Sequence, residues 1–134
     1  MGFTATIFIQ SDVPEISELY TLLNMNAYLG ELERTTSFKD KARQNPDNVN
    51  AGLLTYPVLM AADIIIHKAH FVPVGKDQLQ HLEMTRDVAN RFNHQMGKTL
   101  VPPEAKVQEN TMYVPGTNGG KMSKSQGNII NIFY

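Results

Sequence analysis

Cysteine is absent from the 134 residues, which excludes disulfides, thiolate metal sites and thiol nucleophiles. Charge of one sign is also scarce. The formal net charge is −1, so no global field draws nucleic acid, and any such contact must come from a local patch. Long apolar runs are missing too. The longest near the middle, Val58 to Ile66, is broken by Asp63 and falls far short of the roughly 20 residues that span a bilayer. The opening MGFTATIFIQSDVPE has neither the basic region nor the apolar run of a signal peptide. No internal repeat and no low-complexity tract occurs. The expectation is a cytoplasmic protein without membrane contact. What remains is ordinary for a soluble globular chain, with 42% apolar and 19% charged residues. It suffices for one domain with a core but is small for a complete enzyme.

Thr4 to Gln10 (TATIFIQ) is rich in β-branched residues and apolar on both faces at Ile7, Phe8 and Ile9. It reads as a strand buried in a sheet. Ser11 and Asp12 offer capping oxygens and Pro14 suits a first helical turn. Ile16, Leu19, Tyr20, Leu23 and Ala27 then recur at helical spacing, predicting a helix from Glu15 to Tyr28 that Gly30 interrupts. Glu31 to Asn50 is polar and punctuated, a loop or a short helix. Ala51 to His67 is a second apolar helix with a kink expected at Pro57. His70 to Val74 is a short strand, Gly75 turns it, and a long helix runs from Asp77 to Met96, ended by Gly97. Lys106 to Val114 is a weaker strand. Strands alternating with helices point to an α/β layer structure with a parallel sheet. Three strands are few where an open doubly wound sheet carries about five or six, so the chain reads as part of a larger domain.

Three stretches carry chemistry. In TYPVLMAAD, Tyr56, Met60 and Asp63 stand at i, i+4 and i+7 and share a helical face. A carboxylate in an apolar helix needs a partner. Asp63 either pairs with a neighbour such as Lys68 or closes a pocket, with a ring above and a thioether beneath, for an aromatic ligand bearing one ring N–H. In VPVGKDQLQH a strand feeds a glycine turn and a helix, which aims backbone N–H groups at the crevice beyond the strand; the same pattern also serves as plain punctuation. Gln78 sits in the first turn, within reach of a ligand. His70, His81 and His94 lack metal-like spacing and read as surface or capping residues. In GGKMSKSQGN, Lys121 and Lys124 are compact charges suited to phosphates, and Ser123 and Ser125 add hydroxyls. A glycine-rich lead, TNGG, leaves this loop free to move. The plain alternative is a solvated basic loop.

KMSKS resembles the signature loop of class I aminoacyl-tRNA synthetases. Together with GELERTTSFKDK, GLLTYPVLMAADIII, VPVGKDQLQHLEMTRDVANRFN and VPGTNGGKMSKS, it makes the chain similar to the tryptophanyl-tRNA synthetase family from about Thr4 to Phe133. The resemblance implies a partial Rossmann-type nucleotide-binding fold, the second half of a doubly wound parallel sheet, with a helical insertion. Residues 11–50 would be the insertion and a dimer region; residues 51–134 would hold the tryptophan pocket, the second half of the nucleotide fold and the loop. Asp63 would accept the indole N–H. Met60, Ile64, Val72 and Val74 would line the indole slot, and Tyr56 with Gln78 would hold the α-amino group. Gly75, Lys76 and Asp77 would lie along the adenosine of ATP, with Val114 a backbone contact to adenine. Lys121, Met122, Ser123, Lys124 and Ser125 would close over the triphosphate, Lys121 and Lys124 as the catalytic charges, and Lys41 would reach the phosphates. Mg²⁺ would accompany the ATP phosphates.

The partners so implied are L-tryptophan, ATP, tRNA(Trp) and a second copy of the chain. The family's HIGH-like motif, which belongs on a first strand–helix turn, is matched by no segment, nor is its anticodon-reading helical part. The chain is thus expected to be a fragment, inactive alone. A tyrosyl-tRNA synthetase fragment and a non-catalytic dimerisation module, built on Glu15 to Tyr28 and YLGELE, are the alternatives.

Overall fold

The computed structural model describes residues 4–107 and 114–131. Five α-helices and a two-stranded sheet follow one another as α1 (Glu15–Asn24), α2 (Leu29–Arg34), α3 (Thr36–Gln44), α4 (Ala51–Ile65), β1 (Phe71–Val74), α5 (Leu79–Met96) and β2 (Glu104–Val107). Short 3₁₀ turns at Gln10–Asp12, Pro46–Asn48, Lys76–Gln78 and Lys124–Gln126 link them.

Helix α4 is the centre of the core. Asn50 caps it, its Oδ1 accepting the Leu53 N–H at 3.0 Å. Val58, Ala61, Ala62 and Ile65 of α4 are buried against Ile16 and Leu23 of α1 on one side and Met84, Val88 and Ala89 of α5 on the other. Small alanines at the crossing let the helix backbones approach closely. Pro57 lies inside α4 and is buried, removing one rung of the helical ladder. Arg91 of α5 ties the helices at their far end. Its guanidinium donates to Glu31 at 2.7 and 3.2 Å and to the Asn26 carbonyl, and stacks 4.3 Å from the Tyr28 ring centroid.

Strands β1 and β2 pair in parallel, Phe71 opposite Glu104 and Val74 opposite Val107, with α5 as the crossover. Gly97 ends α5 at φ 87°. The Asn93 carboxamide then folds the chain back, accepting the Thr99 and Leu100 N–H groups and donating to the Leu100 carbonyl. Arg86 donates to the Pro103 carbonyl at 2.6 Å and docks β2 on the helix.

Several expectations change. Thr4 to Gln10 is not a strand of this sheet: β1 and β2 pair only with each other, and Ile7 and Ile9 are 95% and 67% exposed. A strand exists only where a neighbour completes its ladder, and none of the described residues does so here. Glu15 to Tyr28 is helical only to Asn24, and Gly30 lies within α2 rather than breaking a helix. Glu31 to Asn50 is largely helical, as α2, α3 and a 3₁₀ turn. Ser11 and Asp12 make no cap hydrogen bond, and Pro14 is the residue before the first turn. Of the expected strand Lys106 to Val114, only Lys106 and Val107 lie in β2; residues 108–113 lie outside the described residues.

Candidate functional site

Helices α3, α4 and α5, the Lys76–Gln78 turn and the KMSKS loop converge on one cavity of about 470 Å³. Helix α4 contributes Tyr56 and Met60, one turn apart as their spacing requires. Helix α3 contributes Lys41, whose ammonium lies 4.2 Å from the Tyr56 ring centroid. The turn after β1 contributes Asp77 and Gln78, joined by a hydrogen bond from Gln78 Nε2 to Asp77 Oδ2 at 3.2 Å. The loop contributes Lys121. An adjoining cavity of about 480 Å³ shares Lys41 and Lys121 and is walled by Ser123, Ser125 and Asn128. Two ammonium groups from widely separated parts of the chain thus stand beside a ring, a thioether and a carboxamide.

His81 completes the floor. It is buried, not exposed as expected, and its ring centroid sits 5.9 Å from that of Tyr56. Its Nδ1 is buried with no hydrogen-bond partner. Burial pushes the imidazole pKa down, and the Lys41 charge pushes it further; Asp77 pulls weakly the other way. Burial and the Lys41 charge both favour the neutral ring. The available signal was its position three residues after Gln78, on the same helical face.

The loop is more ordered than its glycines suggest. Pro115 and Lys121 form an antiparallel bridge, the Met122 N–H reaches the Val114 carbonyl at 2.8 Å, and Gly116 N–H reaches the Gly120 carbonyl at 2.7 Å. Ser123 caps the Lys124–Gln126 turn, its Oγ accepting the Gln126 N–H at 3.2 Å and lying 3.0 Å from Ser125 Oγ. The Ile130 N–H donates to Met122 Sδ at 3.3 Å. The Lys124 side chain is exposed.

Of the expected site residues, Lys41, Tyr56, Met60, Asp77, Gln78 and Lys121 line the first cavity, and Ser123 and Ser125 the second. Asp63, Ile64, Val72, Val74, Gly75, Lys76, Val114, Met122 and Lys124 line neither. Asp63 does not pair with Lys68. Its two carboxylate oxygens accept from the Gln10 carboxamide at 2.7 and 2.9 Å, a contact 53 residues apart that no local pattern announces. Among the described residues no cluster of three or more His, Asp and Glu could hold a metal, and no helix is long and apolar enough to cross a membrane.

The model of the class I tRNA synthetases (W and Y) matches residues 3–134. The tryptophan–tRNA ligase of Porphyromonas gingivalis is 61% identical over 129 residues, which cover 94% of this chain and 39% of that protein. The tryptophan–tRNA ligase of Fusobacterium nucleatum is 55% identical over 130 residues, 96% of this chain and 40% of the relative. The crystal structure of tryptophanyl-tRNA synthetase from Campylobacter jejuni, complexed with ADP and tryptophan, superposes with a TM-score of 0.79 at 49% identity, covering 93% of this chain and 39% of that one. The chain spans about two fifths of the length of the curated relatives it matches.

Proposed function

The chain belongs to the class I tRNA synthetases of the tryptophan and tyrosine branch, and on that premise we propose that it forms the tryptophan-binding and phosphate-binding part of a cytoplasmic tryptophan–tRNA ligase. The reaction is attack of the tryptophan carboxylate on the α-phosphorus of ATP, taken as its Mg²⁺ complex. An oxygen–phosphorus bond forms to the amino acid as the bond to pyrophosphate breaks. Transfer of the tryptophanyl group to the terminal 2′-hydroxyl of tRNA(Trp) follows. Such chemistry asks a protein for alignment and for charge stabilisation rather than for a nucleophile.

The residues divide that work. Tyr56 and Gln78 hold the α-amino group, Met60, Ile64, Val72 and Val74 flank the indole, and Asp63 accepts its N–H. Gly75, Lys76 and Asp77 lie along the adenosine, and Val114 offers its backbone to adenine. Lys41, Lys121 and Lys124, with Met122, Ser123 and Ser125 around them, take the charge that grows on the departing pyrophosphate. The observation that carries the reading is the meeting of Lys41 and Lys121 on one cavity with Tyr56, Met60 and Gln78. A cationic pair beside an aromatic and thioether wall suits a ligand that is apolar at one end and polyanionic at the other. A two-fold dimer belongs to the same reading. Leu22, Met25, Tyr28 and Leu29, 43% to 74% exposed along α1 and α2, are the apolar surface it would cover.

The test is amino-acid-dependent ATP–pyrophosphate exchange by the full-length protein that carries this segment. Tryptophan should support exchange and tyrosine should not. Asp63→Asn should raise the KM for tryptophan by roughly tenfold, the loss expected when a charged acceptor is replaced by a neutral one that must also place its NH₂ group. Equal exchange with tyrosine, or an unchanged tryptophan KM in the variant, would overturn the assignment.

A further inference from the structure

The shape of the KMSKS loop depends on one side chain outside the pentapeptide. Asn128 is 3% exposed. Its Nδ2 donates to Asn118 Oδ1 at 2.7 Å and to the Lys121 carbonyl at 2.9 Å, and its Oδ1 accepts the Ser123 N–H at 2.8 Å. Its own carbonyl accepts the Thr117 N–H at 3.0 Å. Both donor hydrogens and the acceptor of the carboxamide are thus spent on three points of the loop, two of them flanking Met122. The fit is close on the remaining side as well: a Cβ on Gly116 would collide with the Asn128 carbonyl and carboxamide.

We propose that Asn128 is the positioning residue for the phosphate-binding loop, fixing the backbone at Lys121 and Ser123 and so setting where the Lys121 ammonium meets the phosphates of ATP. It does not touch the substrate itself. Only a neutral amide supplies two donors and an acceptor from one buried point; aspartate would place a carboxylate oxygen against the Lys121 carbonyl, and an apolar residue would leave that carbonyl and the Ser123 N–H unsatisfied. Because Lys121 projects from a backbone held at its own carbonyl, a change at Asn128 shifts the root from which the ammonium reaches. The inference rests on the reading of Lys121 as a phosphate-binding cation, so the two must be tested side by side.

In the full-length ligase, Asn128→Ala should lower kcat for tryptophan-dependent ATP–pyrophosphate exchange by about ten- to a hundredfold, the scale of a small misplacement of a reacting group. The KM for tryptophan should stay within about twofold, since the amino-acid pocket is built from other elements. Hydrogen exchange should show the Ser123 amide losing protection in the same variant. Asn118→Ala, at an exposed position, removes one of the three partners of the Asn128 carboxamide, together with the acceptor of the Gly120 N–H, and should give a smaller loss of kcat; it serves should Asn128→Ala fail to fold. Lys121→Ala is the parallel arm. If Lys121→Ala slows exchange while Asn128→Ala or Asn118→Ala keeps full kcat, the positioning role is wrong and the phosphate reading stands. If Lys121→Ala itself keeps full kcat, the phosphate reading falls and the inference with it. A tryptophan KM that collapses together with kcat in Asn128→Ala would mark a general folding role and overturn the proposal.

Discussion

His81 shows how much a single buried side chain can add to a cavity without announcing itself. Its burial and the nearby Lys41 charge hold its pKa below the ordinary value. An unfolded histidine titrates near 6.5, so between that value and the lower folded one the unfolded chain binds more protons than the folded one. Stability therefore rises with pH across this window and is lost as acid is added below about 6.5. The full-length protein should melt at a lower temperature on acidification through that range, and His81→Gln should reduce the slope. Identical slopes in the two proteins would show that His81 titrates as freely as an exposed histidine. Tyr56, Met60, Gln78 and Lys121, singled out by local spacing or motif, do line one cavity. Gln10 and His81 meet Asp63 and Tyr56 across the fold, whereas Asn128 makes its contacts within one loop but outside the pentapeptide pattern. Asp63 received a carboxamide from 53 residues away rather than the lysine five residues on, and no periodicity encodes such a meeting.

Elements obey the same distinction. Helices α4 and α5 and strand β1 were legible because an apolar face at regular spacing, or a β-branched run before a glycine, is a local signal. Helix α3 was legible only as one of two readings, loop or short helix, because TSFKDKARQ has no buried residue at all and is held between neighbours rather than by a core stripe of its own. Thr4 to Gln10 failed the other way. It has every compositional mark of a strand, yet pairing is a property of two segments, and composition describes one. Capping is where an element-scale claim becomes measurable. Asn50 sits before α4, the helix on which both the core and the cavity wall depend. Asn50→Ala should destabilise the full-length protein by about 1 kcal/mol, lowering its melting temperature and speeding exchange at the Leu53 amide. An unaltered melting temperature would mean that the cap is redundant, the Leu53 N–H being satisfied by solvent.

On the scale of the molecule, the sheet is the unfinished part. Among the described residues, two strands leave two open edges, β2 is exposed throughout, and Phe71 is 64% exposed. The helical core closes on itself, and the sheet and the Thr4–Gln10 segment do not. On the proposed reading, the 134-residue chain alone should give no measurable tryptophan-dependent ATP–pyrophosphate exchange, because misplacing ATP relative to the lysines costs on the order of a hundredfold. Exchange at rates near those of the full-length ligase would show that the cavity described here is sufficient by itself.

The cavity's composition also imposes an order of events at birth. Lys41 and Tyr56 emerge from the ribosome well before Lys121, and α1, α4 and α5, which make the core, are all translated before the KMSKS loop exists. At roughly 5–20 residues per second the interval between the first lysine and the second is on the order of several seconds, long compared with the time helices need to form. The Tyr56 and Met60 side of the cavity can therefore be standing before Lys121 arrives, and the nascent chain passes through a stage in which that cavity has only the first of its two lysines.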